Sequence, residues 1–206
     1  MKSLKQLLSK VKSGKMDKKI SKKLDNLENL IPPKTTIYIA HLDGVEIEEM
    51  RKTAHRLATA GYTVVPHFPA RIIQSAQILD DWVKRYADLG VYQGLVIAGG
   101  LSSPIGDFSN SMQLLETETF DKYGFKKIYV AGHPEGNKDI EIKGSDQNIM
   151  DALRWKQDFS ERTDAEISIT TQFCFESPPI IQWAEKLSES GINFPINIGI
   201  AGPAKL

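Results

Sequence analysis

The stretch KIYVAG, residues 127–132, is a short apolar run that contains β-branched and aromatic residues and ends in glycine. Runs of this composition favour buried β-strands. The chain contains six of them, and each but the last leads into a stretch with apolar residues three and four positions apart, the spacing of an amphipathic helix. In chain order the runs are TIYIAH (from 35 or 36 to 41), YTVVPH (62–67), GLVIAG (94–99), KIYVAG (127–132), ISITTQF (167–173) and PINIGIAG (195–202).

This alternation of strands and single helices predicts a parallel α/β fold, either a closed (β/α) barrel or an open doubly wound sheet. The pattern alone does not choose between the two. In both architectures ligands bind at the carboxyl ends of the strands, so functional residues are expected directly after each run. Those ends read His41, His67, Gly99-Gly100, Gly132-His133-Pro134-Glu135, Gln172 and Gly202-Pro203.

The length of 206 residues favours a single folded domain, which we place at residues 32–206. Residues 1–31 form a basic extension, with nine lysines against Asp17 and Asp25 in the first 25 positions. Its apolar spacing predicts an interrupted amphipathic helix that is solvated. Because no aromatic or arginine residues interleave with the lysines, we expect no nucleic-acid partner.

The remaining composition points to a cytoplasmic protein. No apolar run approaches the roughly 20 residues that cross a bilayer, so we expect no membrane partner. Cys174 is the only cysteine, which excludes an intramolecular disulfide; it is expected to be a packed thiol. The four histidines are not spaced as metal ligands, and no metal site is predicted.

Six strings, in order, carry a family resemblance: VVPHF, LVIAGG, AGHPEG, LRWK, ITTQFCFE and INIGIAGPA. Together they resemble the methylenetetrahydrofolate reductase family over residues 35–206. The most specific part is TTQFCFE followed by GINFPINIGIAGPA. The resemblance implies a (β/α)8 TIM-barrel fold with FAD at the strand ends and a reduced folate stacked on the flavin. Hydride would pass from NAD(P)H through the flavin to the one-carbon unit.

The resemblance also implies which residues hold the cofactor. His67 would contact the flavin ring or phosphates, and Gly99 and Gly100 would let the backbone approach a flat ligand closely. In AGHPEG, His133 and Glu135 would hydrogen-bond ribityl or ribose hydroxyls. Lys156 would bind the cofactor phosphates as a point charge.

The folate substrate is assigned to the fifth run. Gln172, expected on a buried strand, would pair its amide with the donors and acceptors of the pterin. Phe173 and Phe175 alternate along the strand, so one should face the core and the other the helices. We assign Phe175 to the substrate, although the sequence does not decide which of the two faces it.

The chain also departs from the family pattern. Family reductases read Leu-Arg-Gly-Asp where this chain reads Ile97-Ala98-Gly99-Gly100, so that acidic residue is absent. Glu28, before Pro32-Pro33, is a weak match to the family's catalytic glutamate, and we assign no catalytic residue. Aligned this way, TIYIAH resembles the second family strand and PINIGIAG the seventh, so six of eight strands are recognised.

An incomplete barrel leaves open edges of unpaired backbone groups. The chain is then a fragment or a shortened relative, and its ending shortly after a strand favours truncation. Alternatively, the basic extension closes the edges, or a second copy of the chain closes them, which would make the protein a homo-oligomer.

Three functional hypotheses remain. The first is a flavin-dependent oxidoreductase that reduces methylenetetrahydrofolate to methyltetrahydrofolate. The second is a folate-binding barrel without reductase activity, such as a methyl-transfer component, because a proton donor near the folate nitrogen is not evident. The third is an unrelated doubly wound sheet that binds phosphate at helix starts such as Ser109.

Overall fold

A computed structural model describes residues 31–41, 44–141 and 145–200. All six predicted runs form strands, and every pairing between neighbours is parallel. The strands are β1 (Thr36–Ile39), β2 (Thr63–Pro69), β3 (Gln93–Ile97), β4 (Lys127–Gly132), β5 (Glu166–Cys174) and β6 (Ile196–Ile200).

Helices fill each connection, as the apolar spacing predicts. A short 3₁₀ helix (Ala70–Ile72) follows β2 directly. The third connection holds two short helices rather than one, because Glu118 takes a left-handed conformation, with φ at +55°, that interrupts the helix. The helices are α1 (Ile47–Thr59), α2 (Ala76–Ala87), α3 (Ser111–Glu116), α4 (Thr119–Lys122), α5 (Gln147–Ser160) and α6 (Ser177–Glu189).

The strand order in the sheet is the order in the chain, β1 to β6. A doubly wound sheet reverses its strand order at a switch point, so the open doubly wound alternative is wrong for this chain. Since β-α-β crossovers are right-handed, successive crossovers in one direction put all helices on the same face of the sheet.

The sheet is strongly curled. The hydroxyl of Tyr38 on β1 lies 3.1 Å from that of Thr170 on β5, although three strands separate β1 from β5. The ring of Tyr38 also packs edge-on against Tyr129 of β4, with 5.4 Å between centroids. The protein is therefore an α/β protein with a curled six-stranded parallel sheet.

The core has two parts, one on each face of the sheet. The larger part lies between the sheet and its helices and includes Phe68, Val96 and Ile128. The smaller part lies on the concave face and consists of Val65, Leu95 and Tyr129, with the partly buried Tyr38 and Ile97 packed against it.

Residues 1–30 lie outside the described part, and with them the predicted basic helix and Glu28. Gly202-Pro203 also lies outside it. Within the described residues, no helix is both long and apolar enough to span a membrane.

Candidate functional site

Seven of the eight predicted site residues, all except Lys156, lie at or beside the carboxyl ends of the strands, which we call the mouth of the sheet. His67 is on β2 and faces the concave side, where its ring lies edge-on to Tyr38 with 6.3 Å between centroids. Burial, together with the nearby charge of His41, lowers the pKa of His67 from its usual 6.5 to about 4. His67 is therefore a neutral imidazole at neutral pH, suited to hydrogen bonding rather than to ion pairing.

Gly99 and Gly100 form the turn directly after β3. Gly99 has φ at +95°, a conformation that side chains rarely adopt, and a Cβ there would lie 3.0 Å from Cβ of Pro69. A Cβ at Gly100 would meet no atom within 4 Å. The first glycine is thus required by the fold, whereas the second leaves open space at the mouth.

His133 follows β4 and is partly buried. Burial, and next the charge of Lys156, lower the pKa of His133. The side-chain amide nitrogen of Asn137 lies 3.5 Å from its Nδ1, close enough for a weak hydrogen bond to an unprotonated ring nitrogen. This arrangement places a second neutral imidazole at the mouth.

Lys156 is the most unusual of the predicted site residues, because it is only 5% exposed. It lies on the face of α5 that packs against the core. In the described part of the chain, no carboxylate forms an ion pair with its ammonium group and no side-chain hydrogen bond involves it. Burial lowers the pKa of Lys156 to about 8, so the ammonium remains mostly charged at neutral pH.

Glu135 has a different environment from the one predicted. Its Oε1 accepts hydrogen bonds from the backbone N–H groups of Phe175, at 2.8 Å, and of Glu176, at 3.4 Å. One carboxylate oxygen therefore joins the β4 end to the turn before α6. The predicted bond from this side chain to a ribityl or ribose hydroxyl would have to use the other oxygen.

The prediction that Gln172 lies on a buried strand is wrong, because the residue is exposed. The register between β5 and β6 shifts between Thr170 and Phe173, so the simple alternation of faces ends there. Inside this bulge, the carbonyl oxygen of Gln172 accepts from the Thr171 hydroxyl at 2.8 Å. Within the described residues its side chain makes no hydrogen bond.

The prediction for the two phenylalanines is also wrong, because residues two positions apart in a strand lie on the same face and Phe175 lies beyond the end of β5. Phe173 is 57% exposed and Phe175 is 77% exposed, so neither faces the core. Cys174 takes the buried position between them, as a packed thiol. Phe175 is accessible at the mouth, and Glu135 holds its backbone.

Four further residues at the strand ends or on the concave face were not assigned from the sequence. The Nε2 of His41 donates to the carbonyl oxygen of Val45 at 2.9 Å, and its ring stacks on Trp82. The side chain of Arg71 donates to two loop carbonyls. Tyr38 and Thr170 meet on the concave face. Their partners are distant in sequence except in the case of Val45, so no local pattern marks these residues.

The polar side chains predicted to hold the cofactor suit an anionic, hydrogen-bonding ligand. Among residues 31–41, 44–141 and 145–200, no three His, Cys, Asp or Glu side chains are grouped as metal ligands. A buried ammonium and two neutral imidazoles, by contrast, match phosphate oxygens and heterocycle atoms.

Comparison with known proteins adds a likeness in structure. No family model matches this chain. The fold is similar to that of deoxyribose phosphate aldolase from Aeropyrum pernix, whose structure is described as a unique tetramer, with a TM-score of 0.47 and 9% sequence identity. The similarity covers 81% of this chain, and the chain spans 62% of the length of that protein.

Proposed function

We propose that the protein binds FAD at the mouth of the sheet and reduces methylenetetrahydrofolate with NAD(P)H. The observation that carries this proposal is the buried ammonium of Lys156, which has no ion pair among the described residues and whose charge lowers the pKa of His133. A buried cation without a counter-charge destabilises the protein, and a bound anion would relieve that cost. The diphosphate of FAD is an anion of this kind.

The other residues of the mouth fit the remaining parts of the cofactor. The open space at Gly100 leaves room for a planar ring against the backbone, and His67 offers a neutral donor or acceptor on the concave face. His133 would lie near the same phosphates as Lys156. When bound, FAD would supply the hydride-transfer chemistry, and the residues of the chain would orient it.

The folate substrate is assigned to the carboxyl end of β5. Gln172 and Phe175 are exposed there, so an amide group and an aromatic ring are both accessible to a pterin. Glu135 supports this assignment, since its bonds to the backbone of Phe175 and Glu176 fix the turn that presents the ring.

We further propose that the six strands belong to a (β/α)8 barrel. The contact between the Tyr38 and Thr170 hydroxyls supports this, because a flat sheet would separate β1 and β5 by roughly 19 Å at the usual 4.7–4.9 Å between neighbouring strands. Two more strands between β6 and β1 would complete the ring. They could come from further βα units or from a second copy of the chain.

The experiment that tests the function is reconstitution with FAD followed by absorption spectroscopy. A yellow protein whose flavin bands bleach on addition of NADH or NADPH, and recover on addition of methylenetetrahydrofolate, is the expected result. A protein that stays colourless after incubation with FAD would refute the reductase proposal. Gln172→Ala tests the substrate side: it should weaken folate binding and leave flavin binding unchanged.

A folate-binding protein without reductase activity is the second candidate, and one observation favours it. Gly100 stands where the resembling family has an aspartate, and His67, with a pKa of about 4, is a poor general acid at neutral pH. A protein that binds folate but leaves NAD(P)H unconsumed in the presence of FAD would establish this alternative.

A further inference from the structure

The loop after β3, residues 98–110, lies in close contact with residues 69–74, which follow β2. A Cβ on Gly106 would lie 2.2 Å from the carbonyl oxygen of Gln74, so the two backbones touch there. The N–H of Asp107 donates to the same carbonyl at 3.1 Å. Gly99 and Gly100 lie near the start of this loop, so the shape of the loop determines the open space beside Gly100 at the mouth.

Arg71 lies at the centre of this contact and makes four hydrogen bonds to the loop. Its backbone N–H donates to the carbonyl of Ala98, and its own carbonyl accepts from the N–H of Ile105, both at 2.9 Å. Its Nη1 donates to the carbonyl of Leu101 at 2.6 Å, and its Nε donates to the carbonyl of Ser109 at 3.0 Å. One residue thus holds the start, the middle and the end of the loop.

The guanidinium of Arg71 differs from the other paired arginines of the molecule. Arg51, Arg85 and Arg154 pair with carboxylates on helix surfaces. Arg71 is partly buried, and within the described residues it has no such ion pair. Its charge strengthens the two bonds to carbonyl oxygens, since hydrogen bonds from an ionised donor are stronger than neutral ones.

We propose that Arg71 is a positioning residue that holds the loop after β3 in the shape that admits the ligand. The planar guanidinium fork reaches two carbonyls that are eight residues apart in the loop, whereas a lysine would offer a single point charge. The nature of the ligand rests on the proposed function, but the role of Arg71 in shaping the loop does not.

Hydrogen exchange of the loop amides, measured by mass spectrometry, tests the proposal. In Arg71→Met, amides of residues 99–109 should exchange about tenfold faster than in wild type, because the loop opens locally more often. Arg71→Lys should lie between the two. Arg154→Met, which removes an exposed arginine from a helix, is the matched control and should leave the loop unchanged. Loop exchange in Arg71→Met equal to that of wild type would overturn the proposal.

Two further measurements separate positioning from general stability. Low-millimolar guanidinium chloride, far below denaturing concentrations, should slow loop exchange in Arg71→Ala towards the wild-type rate; no rescue would contradict the proposed role of the fork. The affinity for FAD should fall about tenfold in Arg71→Met while its melting temperature stays close to that of the control. An affinity equal to that of the control would exclude a role in ligand binding.

The same measurements distinguish this proposal from the proposed function. If wild-type protein binds no FAD, the reductase proposal fails, and the exchange rates still decide whether Arg71 holds the loop. If Arg71→Met does not fold, the comparison of Arg71→Lys with wild type decides the question by the same criterion.

Discussion

The two ends of the parallel strands differ in how they accommodate charge. At the amino ends, Lys127 of β4 lies 2.7 Å from Glu166 of β5, and these residues are register partners. The neighbouring Gln93 of β3 accepts a hydrogen bond from the Tyr129 hydroxyl at 3.3 Å. Polar groups at this end therefore satisfy one another.

At the carboxyl ends, the imidazoles of His67 and His133 are partly buried, and on α5 the ammonium of Lys156 is buried without a carboxylate partner among the described residues. Burial lowers the pKa of His67, His133 and Lys156, and the described residues provide no ion pair for any of them. The imidazoles are neutral at neutral pH, whereas the buried ammonium of Lys156 reduces stability unless an anion compensates it, and perturbed pKa values cluster at functional sites. We therefore propose that the carboxyl ends, rather than the amino ends, take part in ligand binding.

Lys156→Met should give the largest effect. The pKa of Lys156 falls from 10.5 to about 8 on folding, which corresponds to a penalty of about 3 kcal/mol at pH 7. Methionine removes the buried charge and has a similar shape, so the free energy of unfolding in urea should rise by up to that amount. Flavin affinity should fall at the same time.

The pH dependence provides an independent check on Lys156. Below pH 8 the side chain is charged in both the folded and unfolded states, so the folded state bears the full cost of burying the charge. Between pH 8 and 10.5 the folded state loses its proton first, so wild-type stability should gain from this group as the pH rises. Lys138→Met, at an exposed position, is the control and should keep the wild-type profile; an unchanged profile in Lys156→Met would contradict the assignment.

Replacing His67 should have the next largest effect on stability, which appears at acidic pH. Its pKa is about 4 in the folded protein and about 6.5 when unfolded, so only the unfolded state gains a proton between these values. Stability from this group is complete above pH 6.5 and is lost as the pH falls towards 4. Because the ring is partly open to solvent, we expect a loss of about 2 kcal/mol rather than the full 3.

Urea unfolding of His67→Gln at pH 7 and at pH 4.5 measures this loss. The variant should show a smaller difference between the two pH values than wild type does. His55→Gln, at an exposed position on α1, is the matched control. A difference in His67→Gln as large as in wild type would mean that other groups cause the acid sensitivity.

The sequence predicted the fold well because the signals are local. Each strand is an apolar run and each helix has its own apolar spacing, so the elements and the parallel direction of the strands follow from short windows, whereas the order of the strands in the sheet does not. The curl of the sheet is less local, since it brings Tyr38 against Thr170, 132 residues later. Periodicity therefore predicted the elements but could not choose between an open and a curled sheet.

The site was predicted less well, because its contacts join residues that are distant in the sequence. Gln172 was expected to be buried because a regular β-strand was assumed, whereas the bulge after Thr170 turns it towards solvent. The backbone partners of Glu135 lie 40 and 41 residues away, and those of the Arg71 guanidinium lie 30 and 38 residues away. No spacing rule connects such pairs.

Removing the contact between Tyr38 and Thr170 should have a moderate effect on the free energy of unfolding. Tyr38→Phe and Thr170→Val each remove one hydroxyl of the pair, and each should lower the free energy of unfolding by about 1 kcal/mol. The double variant should cost less than the sum, because the two hydroxyls share one hydrogen bond. Strict additivity in this cycle would mean that the sheet is less curled in solution than this contact requires.

The pair at the amino ends should give the smallest effect, which sharpens the contrast with Lys156. The side chain of Lys127 is 26% exposed and that of Glu166 is 56% exposed, so water screens their attraction. Such pairs contribute roughly 0–1 kcal/mol, and Glu166→Gln should change the free energy of unfolding by less than about 1 kcal/mol. Flavin affinity should stay at the wild-type value, since this residue lies at the opposite end of the sheet from the mouth. A loss of flavin affinity in Glu166→Gln comparable to that in Lys156→Met would contradict the division of roles between the two ends.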